Sequence, residues 1–184
     1  TAILAGDALL TMAFEIASHP RCHSDASVRA DLVMALARAS GPAGMVGGQV
    51  IDLEADKLGH PASPSLDHVR RLQAMKTGAL IRVAVEAGGI MGRASPADRA
   101  ALARFGDHLG FAFQISDDLL DAEGDAATVG KATGKDAAAN KATLVSLLVR
   151  LAEVEALALG EIARFGPAAS RLAEAVRFMS QRES

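Results

Sequence analysis

At 184 residues the chain is long enough for one sizeable core, and its length does not demand a second domain. Half of it is hydrophobic but only 3% is aromatic, with no Trp or Tyr, so the core has to be built from Ala, Leu, Val and Ile, a composition suited to closely packed helices. A formal charge of -3, with no basic run interleaved with aromatics, argues against nucleic-acid binding; the single Cys22 excludes an intrachain disulfide and any two-cysteine metal or redox motif, which fits a reducing, cytoplasmic setting.

Apolar residues recur at helical spacing almost throughout, and no stretch alternates strictly, so the expected fold class is all-α with five or more helices. The first is expected over residues 4–17, in a segment that opens apolar and periodic at Thr1 with no cap before it, as in a piece of a longer protein. The second is expected over 25–39, opened by Ser24 or Asp25 as N-cap and stopped by Gly41 and Pro42. A Gly-rich helical segment follows over 43–55. The longest uncharged run, 39–51, holds four glycines and a proline, is too short to cross a bilayer, and no signal segment opens the chain, so the protein is expected not to be membrane-inserted. LGHPASPS at 58–65 reads as a loop, with Ser65 capping a helix to about 88. Ser95, Pro96 and Asp98 combine a cap, a first-turn proline and an acidic third position, and open a long helix to 121 or 122. The glycine-rich stretch 124–143 is expected to be a loop, with helix resuming near 143 and again after Pro167. Glycines 41, 44, 47, 48, 106 and 110 fall in or beside helices, where each costs about 1 kcal/mol relative to Ala, and close helix approach is the expected compensation.

The end of the long helix, QISDDLLDAEGD, carries the most information. At about 100° per residue, Gln114, Asp117, Asp118 and Asp121 share an arc of about 100°, flanked by Phe111, Ile115 and Leu119 on one side and by Phe113 and Leu120 on the other. A solvated acidic turn is the ordinary reading of such a pattern. Apolar flanks instead suggest burial, and buried anions need cations to offset several kcal/mol of desolvation. Adjacent hard oxygen ligands suit Mg²⁺, which takes one or two carboxylates together with water and substrate phosphates, so the stripe predicts a diphosphate site. Lys131, Lys135 and Lys141 follow within twenty residues of the last aspartate, where they are either solvated or poised as point charges for phosphate. GKATGKD in this stretch is not a nucleotide-binding P-loop: three residues rather than four separate Gly130 from Gly134, Asp136 stands where Ser or Thr is required, and helix rather than strand precedes it. The five histidines, among them His19, His23 and His108, show no metal-ligand spacing.

Five segments in order, AGDALLTMAFEIA at 5–17, GGQVIDLEAD at 47–56, MKTGALIRVAVEAGGIMG at 75–92, FAFQISDDLLDAEGD at 111–125 and VGKATGKDAAANKATLVSLL at 129–148, resemble the trans-isoprenyl diphosphate synthase family, and within it the bacterial farnesyl diphosphate synthases. The resemblance implies an isoprenoid synthase helical bundle around a central cavity. Residues 1–184 would form the C-terminal two-thirds of one such domain, and the whole would be a cytoplasmic homodimer. It implies Mg²⁺-dependent condensation, with Mn²⁺ as an alternative ion, of isopentenyl diphosphate with dimethylallyl or geranyl diphosphate through an allylic carbocation. By this likeness Asp117, Asp118 and Asp121, assisted by Asp136, hold the metal; Lys76, Lys131 and Lys141 neutralise the departing pyrophosphate; Thr77 and Gln114 lie beside the carbocation; and Phe113 and Gln114 face the isopentenyl substrate. Gln49 and Asp52, on one face of a helix, resemble pocket residues, and a local polar seam would look the same.

The family's first aspartate-rich motif is missing and would belong upstream of Thr1, so the 184-residue chain alone is expected to be inactive. With that motif go the residues that set product length, which leaves a geranylgeranyl diphosphate synthase as the alternative activity. A non-catalytic subunit is a further alternative, against which the intact DDLLD speaks. The stretch after Leu148 is several residues shorter than the family pattern.

Overall fold

The computed structural model describes the backbone of residues 1–59, 61–128 and 134–180, and the side chains of those outside 121–142. Most of the described residues are helical, with no strand among them. In chain order they form α1 (Ala2–Ser18), α2 (Ala26–Ser40), α3 (Met45–Leu58), α4 (Leu66–Gln73), a π-helical turn (Ala74–Gly78), α5 (Ala79–Met91), α6 (Pro96–Thr128), α7 (Gly134–Ile162), a 3₁₀ segment (Ala163–Ala169) and α8 (Ser170–Ser180).

Helix starts follow their capping chemistry. Asp25 accepts the Ser27 N–H at 2.8 Å and opens α2; Ser65 accepts the His68 N–H at 3.2 Å and opens α4. Ser95 accepts the Asp98 N–H at 3.2 Å and donates to the Asp98 carboxylate at 2.7 Å, satisfying an orphan amide at the start of α6. At the other end of the bundle Gly166, with φ 55°, makes the left-handed break before Pro167 that separates α7 from α8.

Two expectations need correction. The helix expected over 65–88 is continuous but not uniformly α: residues 74–78 widen into a π turn that carries Lys76 and Thr77. The stretch 124–143 is largely helix: α6 continues to Thr128 and α7 starts at Gly134. Alanines 126, 127 and 137–139 are the best helix formers, and they outweigh the glycines and short polar residues around them.

α6 is the centre of the bundle. It packs against α5 on one side and α7 on the other, and also meets the π turn and α8. Phe105 and Leu109 of α6 join Ala158 and Ile162 of α7, Ala169 and Val176 in one buried cluster. One helical turn on, Ala112, Ile115 and Leu119 meet Leu151 and Val154 of α7 in a second. A third joins Val28 and Leu32 of α2 to Ile90 of α5. Phe105 and Val176 are the largest fully buried side chains, in keeping with an aromatic-poor composition. α1 packs on α2 but buries none of its residues. No helix among the described residues is long and apolar enough to cross a membrane.

Candidate functional site

The π turn is seated by two glycine contacts. On the α3 side, a Cβ at Gly48 would stand 2.7 Å from Lys76 Cα and 2.8 Å from the Met75 carbonyl carbon. On the α6 side, a Cβ at Gly110 would stand 2.9 Å from Gly78 Cα. Only glycine lets the two helices approach the turn backbone to backbone, so the helix-propensity cost of Gly48 and Gly110 is compensated by contact, as expected. Gly106 does the same one turn earlier on α6, where a Cβ would meet Arg82 Cα at 2.8 Å.

Each of the two clamping glycines has a polar residue four positions later on the same helix face. After Gly48 comes Asp52, whose Oδ2 accepts from Lys76 Nζ at 2.6 Å. After Gly110 comes Gln114, half-buried, and after Gln114 comes Asp118, whose Oδ1 is 3.5 Å from Gln114 Nε2. The π turn is therefore held between α3, from which Asp52 reaches Lys76, and α6, whose Gly110 lies against Gly78 one turn before Gln114. Thr77, Gln49 and Phe113 are all half-buried, neither sealed in the core nor fully solvated.

On the acidic stripe itself, Asp117 is half-buried and Asp118 exposed. Ile115 and Leu119 are buried on α7, whereas Phe113 and Leu120 on the other flank are only partly covered. The expected burial of the stripe's flanks is thus complete on the Ile115 and Leu119 side and partial on the Phe113 and Leu120 side. No three His, Cys, Asp or Glu side chains gather as a metal-binding cluster among the described residues. Asp121, Asp136, Lys131 and Lys141, which the predicted site also calls on, lie outside the described side chains. His19 and His23 act locally, each accepting through Nδ1 a backbone N–H two residues ahead, from Arg21 and Asp25.

Beside Gln114, a pocket of about 360 Å³ opens between α4, the π turn, α6 and α7. Its floor is Gly78, Gly110 and Phe111, and Arg70, Gln73 and Arg150 stand around it. The Arg150 guanidinium lies over the Phe111 ring, 5.1 Å from its centroid. Sequence reading passed over both arginines. Residues eighty apart converge here only because α4 packs on the π turn, while that turn and α7 both pack on α6, and no local pattern records that. Nearby, Arg82 donates to Glu86 at 2.7 Å and to both Asp107 oxygens at 3.1 and 3.2 Å. Its pKa is raised above the usual arginine value, first by the Glu86 hydrogen bond and then by the Asp107 charge, so it remains a fixed cation that ties α5 to α6.

A sequence profile of the polyprenyl synthetase family matches residues 1–177. Over 158 residues the chain is 41% identical to a farnesyl diphosphate synthase of Geobacillus stearothermophilus, an overlap of 85% of this chain and 52% of the relative. It is 45% identical over 152 residues to the farnesyl diphosphate synthase of Escherichia coli (strain K12), covering 80% of this chain and 48% of that one. The apo crystal structure of an FPP/GFPP synthase from Zymomonas mobilis superposes with a TM-score of 0.80 at 42% identity, over 97% of this chain and 60% of the other. The chain thus spans about half the length of the curated relatives it matches.

Proposed function

Because the chain belongs to the polyprenyl synthetase family, we propose that these residues form the C-terminal two-thirds of a single isoprenoid synthase domain. In our reading the whole protein is a trans-prenyltransferase that condenses isopentenyl diphosphate with dimethylallyl or geranyl diphosphate to give farnesyl diphosphate. The observation that carries this is the clamped π turn, with Lys76 bound to Asp52 of α3 and Gly78 pressed on Gly110 of α6, one turn before Gln114 and two before Asp118. The similar structure from Zymomonas mobilis is described as an FPP/GFPP synthase, so a longer product is the alternative for the same chemistry.

Asp117 and Asp118 offer hard carboxylate oxygens on consecutive residues of one helix, at the edge of solvent, and that donor chemistry fits Mg²⁺ or Mn²⁺. With Asp121 and Asp136 they would hold the ion. Bound there, it adds positive charge where the allylic diphosphate departs. Lys76, Lys131 and Lys141 supply the rest of that charge. Thr77 and Gln114 present oxygen dipoles to the allylic cation left when the C–O bond breaks, and such preorganised dipoles act most strongly where water is excluded. Phe113 and Gln114 face the isopentenyl group, whose double bond attacks the cation before a proton is lost; Gln49 completes the polar lining on α3. The same reading gives a cytoplasmic homodimer with small diphosphates as ligands and no nucleic-acid partner.

The test is product formation from geranyl and isopentenyl diphosphates in Mg²⁺ by the wild-type protein and by Asp117→Ala. Loss of at least about 10²-fold in kcat/KM is expected. Undiminished turnover in the variant would remove the aspartate stripe from the mechanism.

A further inference from the structure

Lys76 and Asp52 are 24 positions apart in sequence, and their side chains are 38% and 36% exposed. Pairs this open add little to stability, being screened by water and opposed by the entropy of ordering two side chains. Yet the backbone around this one is unusually constrained. Gly48, one turn before Asp52, lets α3 touch the Lys76 backbone, and a Cβ at Gly47 would stand 2.9 Å from Met75 Cε. The chain therefore places the Asp52 carboxylate at Lys76 through the tightest helix contact of this region, for a pair that contributes little to holding the fold together.

We propose that Asp52 is a positioning residue for Lys76: its carboxylate holds the lysine ammonium at the π turn, ordered in advance for an incoming diphosphate. A lysine carries its charge on a flexible four-carbon stem, which has to be ordered before the charge can meet a phosphate oxygen at a fixed point. An ammonium has three N–H donors, and Asp52 takes one, leaving two to point at a ligand. The partial exposure of the pair keeps those donors reachable. Asp52 is thereby distinguished from Gln49 on the same face: it acts on the ligand through Lys76 rather than by contact. An anion is also the wrong group to touch a diphosphate directly, since two like charges side by side repel.

The proposal rests on the reading of Lys76 as a diphosphate-binding group, and a double-mutant cycle separates the two. Affinity for inorganic pyrophosphate in Mg²⁺ is measured by calorimetry on the full chain for wild type, Asp52→Ala, Lys76→Ala and the double variant, with Asp52→Asn as an isosteric neutral form that preserves packing. Asp52→Ala and Asp52→Asn are each expected to weaken binding on the order of tenfold, within the range of coupling for residues in contact, and to cost nothing further once Lys76 is Ala. An equal loss from Asp52→Ala in both backgrounds would show that Asp52 acts by itself, through the ligand or the fold, and would overturn the proposal. Loss in Lys76→Ala with none in either Asp52 variant would overturn it as well and leave the Lys76 assignment standing. No loss in Lys76→Ala would overturn the assignment of Lys76 and the proposal with it.

Discussion

Gly110 of α6 lies directly on Gly78 of the π turn, so close that a methyl group on Gly110 would stand 2.9 Å from Gly78 Cα. Neither partner has a flexible side chain that could give way. Gly110→Ala would gain about 1 kcal/mol of helix propensity, but overpacking backbone against backbone costs about 1–3 kcal/mol. A net loss of stability is expected in urea unfolding, together with weaker pyrophosphate binding as the turn is pushed off α6. Gly160→Ala is the matched control, on α7 with no atom within 4 Å of the added carbon. It should raise stability by up to about 1 kcal/mol. Equal effects at the two positions would mean that the Gly110 contact is slack.

Removal of divalent ions should uncouple pyrophosphate from the acidic stripe. In excess EDTA, affinity is expected to fall on the order of tenfold or more, and to return with Mg²⁺ or Mn²⁺ but not with Na⁺. Asp118→Asn, which keeps the shape of the exposed carboxylate but not its charge, should show a weakened response to added Mg²⁺. Binding that ignores both EDTA and Asp118→Asn would assign the pyrophosphate to the lysines alone.

Arg104 and Glu161 form a two-pronged bridge between α6 and α7, with both N–H···O distances at 2.8 Å. That hydrogen bonding is the main reason why the Glu161 pKa lies below the usual glutamate value, with the Arg104 charge adding to it. A carboxyl whose folded pKa is depressed contributes stability above its unfolded pKa and loses it as the pH falls through the folded one. Thermal stability should therefore drop below the normal glutamate range, and Glu161→Gln should flatten part of that acid limb by lowering the neutral-pH melting temperature slightly, toward the value at acid pH. An acid limb identical in wild type and variant would place the titrating groups elsewhere, with Asp25 the next to test. Its pKa is lowered chiefly by the Ser27 side-chain and backbone hydrogen bonds and further by the Arg93 charge.

Phe105 is fully buried where α6, α7 and α8 meet. In a chain with so few aromatics it fills the largest single volume of that cluster, and Phe105→Ala should cost about 3–5 kcal/mol in denaturant unfolding. Phe178 on α8 is 66% exposed, and its truncation should stay within about 0.5 kcal/mol. A small effect at Phe105 would mean that the α6–α7–α8 junction collapses freely around the gap.

What could be read from the sequence was local. Asp25, Ser65 and Ser95 announce helix starts because a cap is a bond between a side chain and amides two or three residues away. Gln114, Asp117 and Asp118 fall on one face because helical periodicity is also a short-range property. The π turn escaped notice, since nothing in AMKTG differs from ordinary helix; it depends on being gripped by Gly48 and Gly110 from two other helices. The stretch 124–143 was misjudged because its glycines and lysines stand out, while its alanines carry more of the backbone preference. Asp52 and Lys76 were each noticed, and their pairing was not, because it exists only once α3 has docked on the turn. Arg70 and Arg150, brought to one pocket because the π turn that carries α4 and the helix α7 both pack on α6, left no trace at all in the pattern.

Residues 66–91 run as unbroken helical backbone, yet the wide turn at 74–78 adds one residue to the winding, so that α4 and α5 are out of phase with each other by about 100°. The rod behaves like a shaft with a fixed angular offset between its two ends. Residue identities in it can drift without disturbing that offset, but its count cannot: deleting a single residue from 74–78 would leave α5 seated on α6 and turn α4 about its own axis, carrying Arg70 and Gln73 away from the pocket they now line. The spacing between Ser65 and Lys76 is thus a dimension of the site in its own right, as much as any side chain in it.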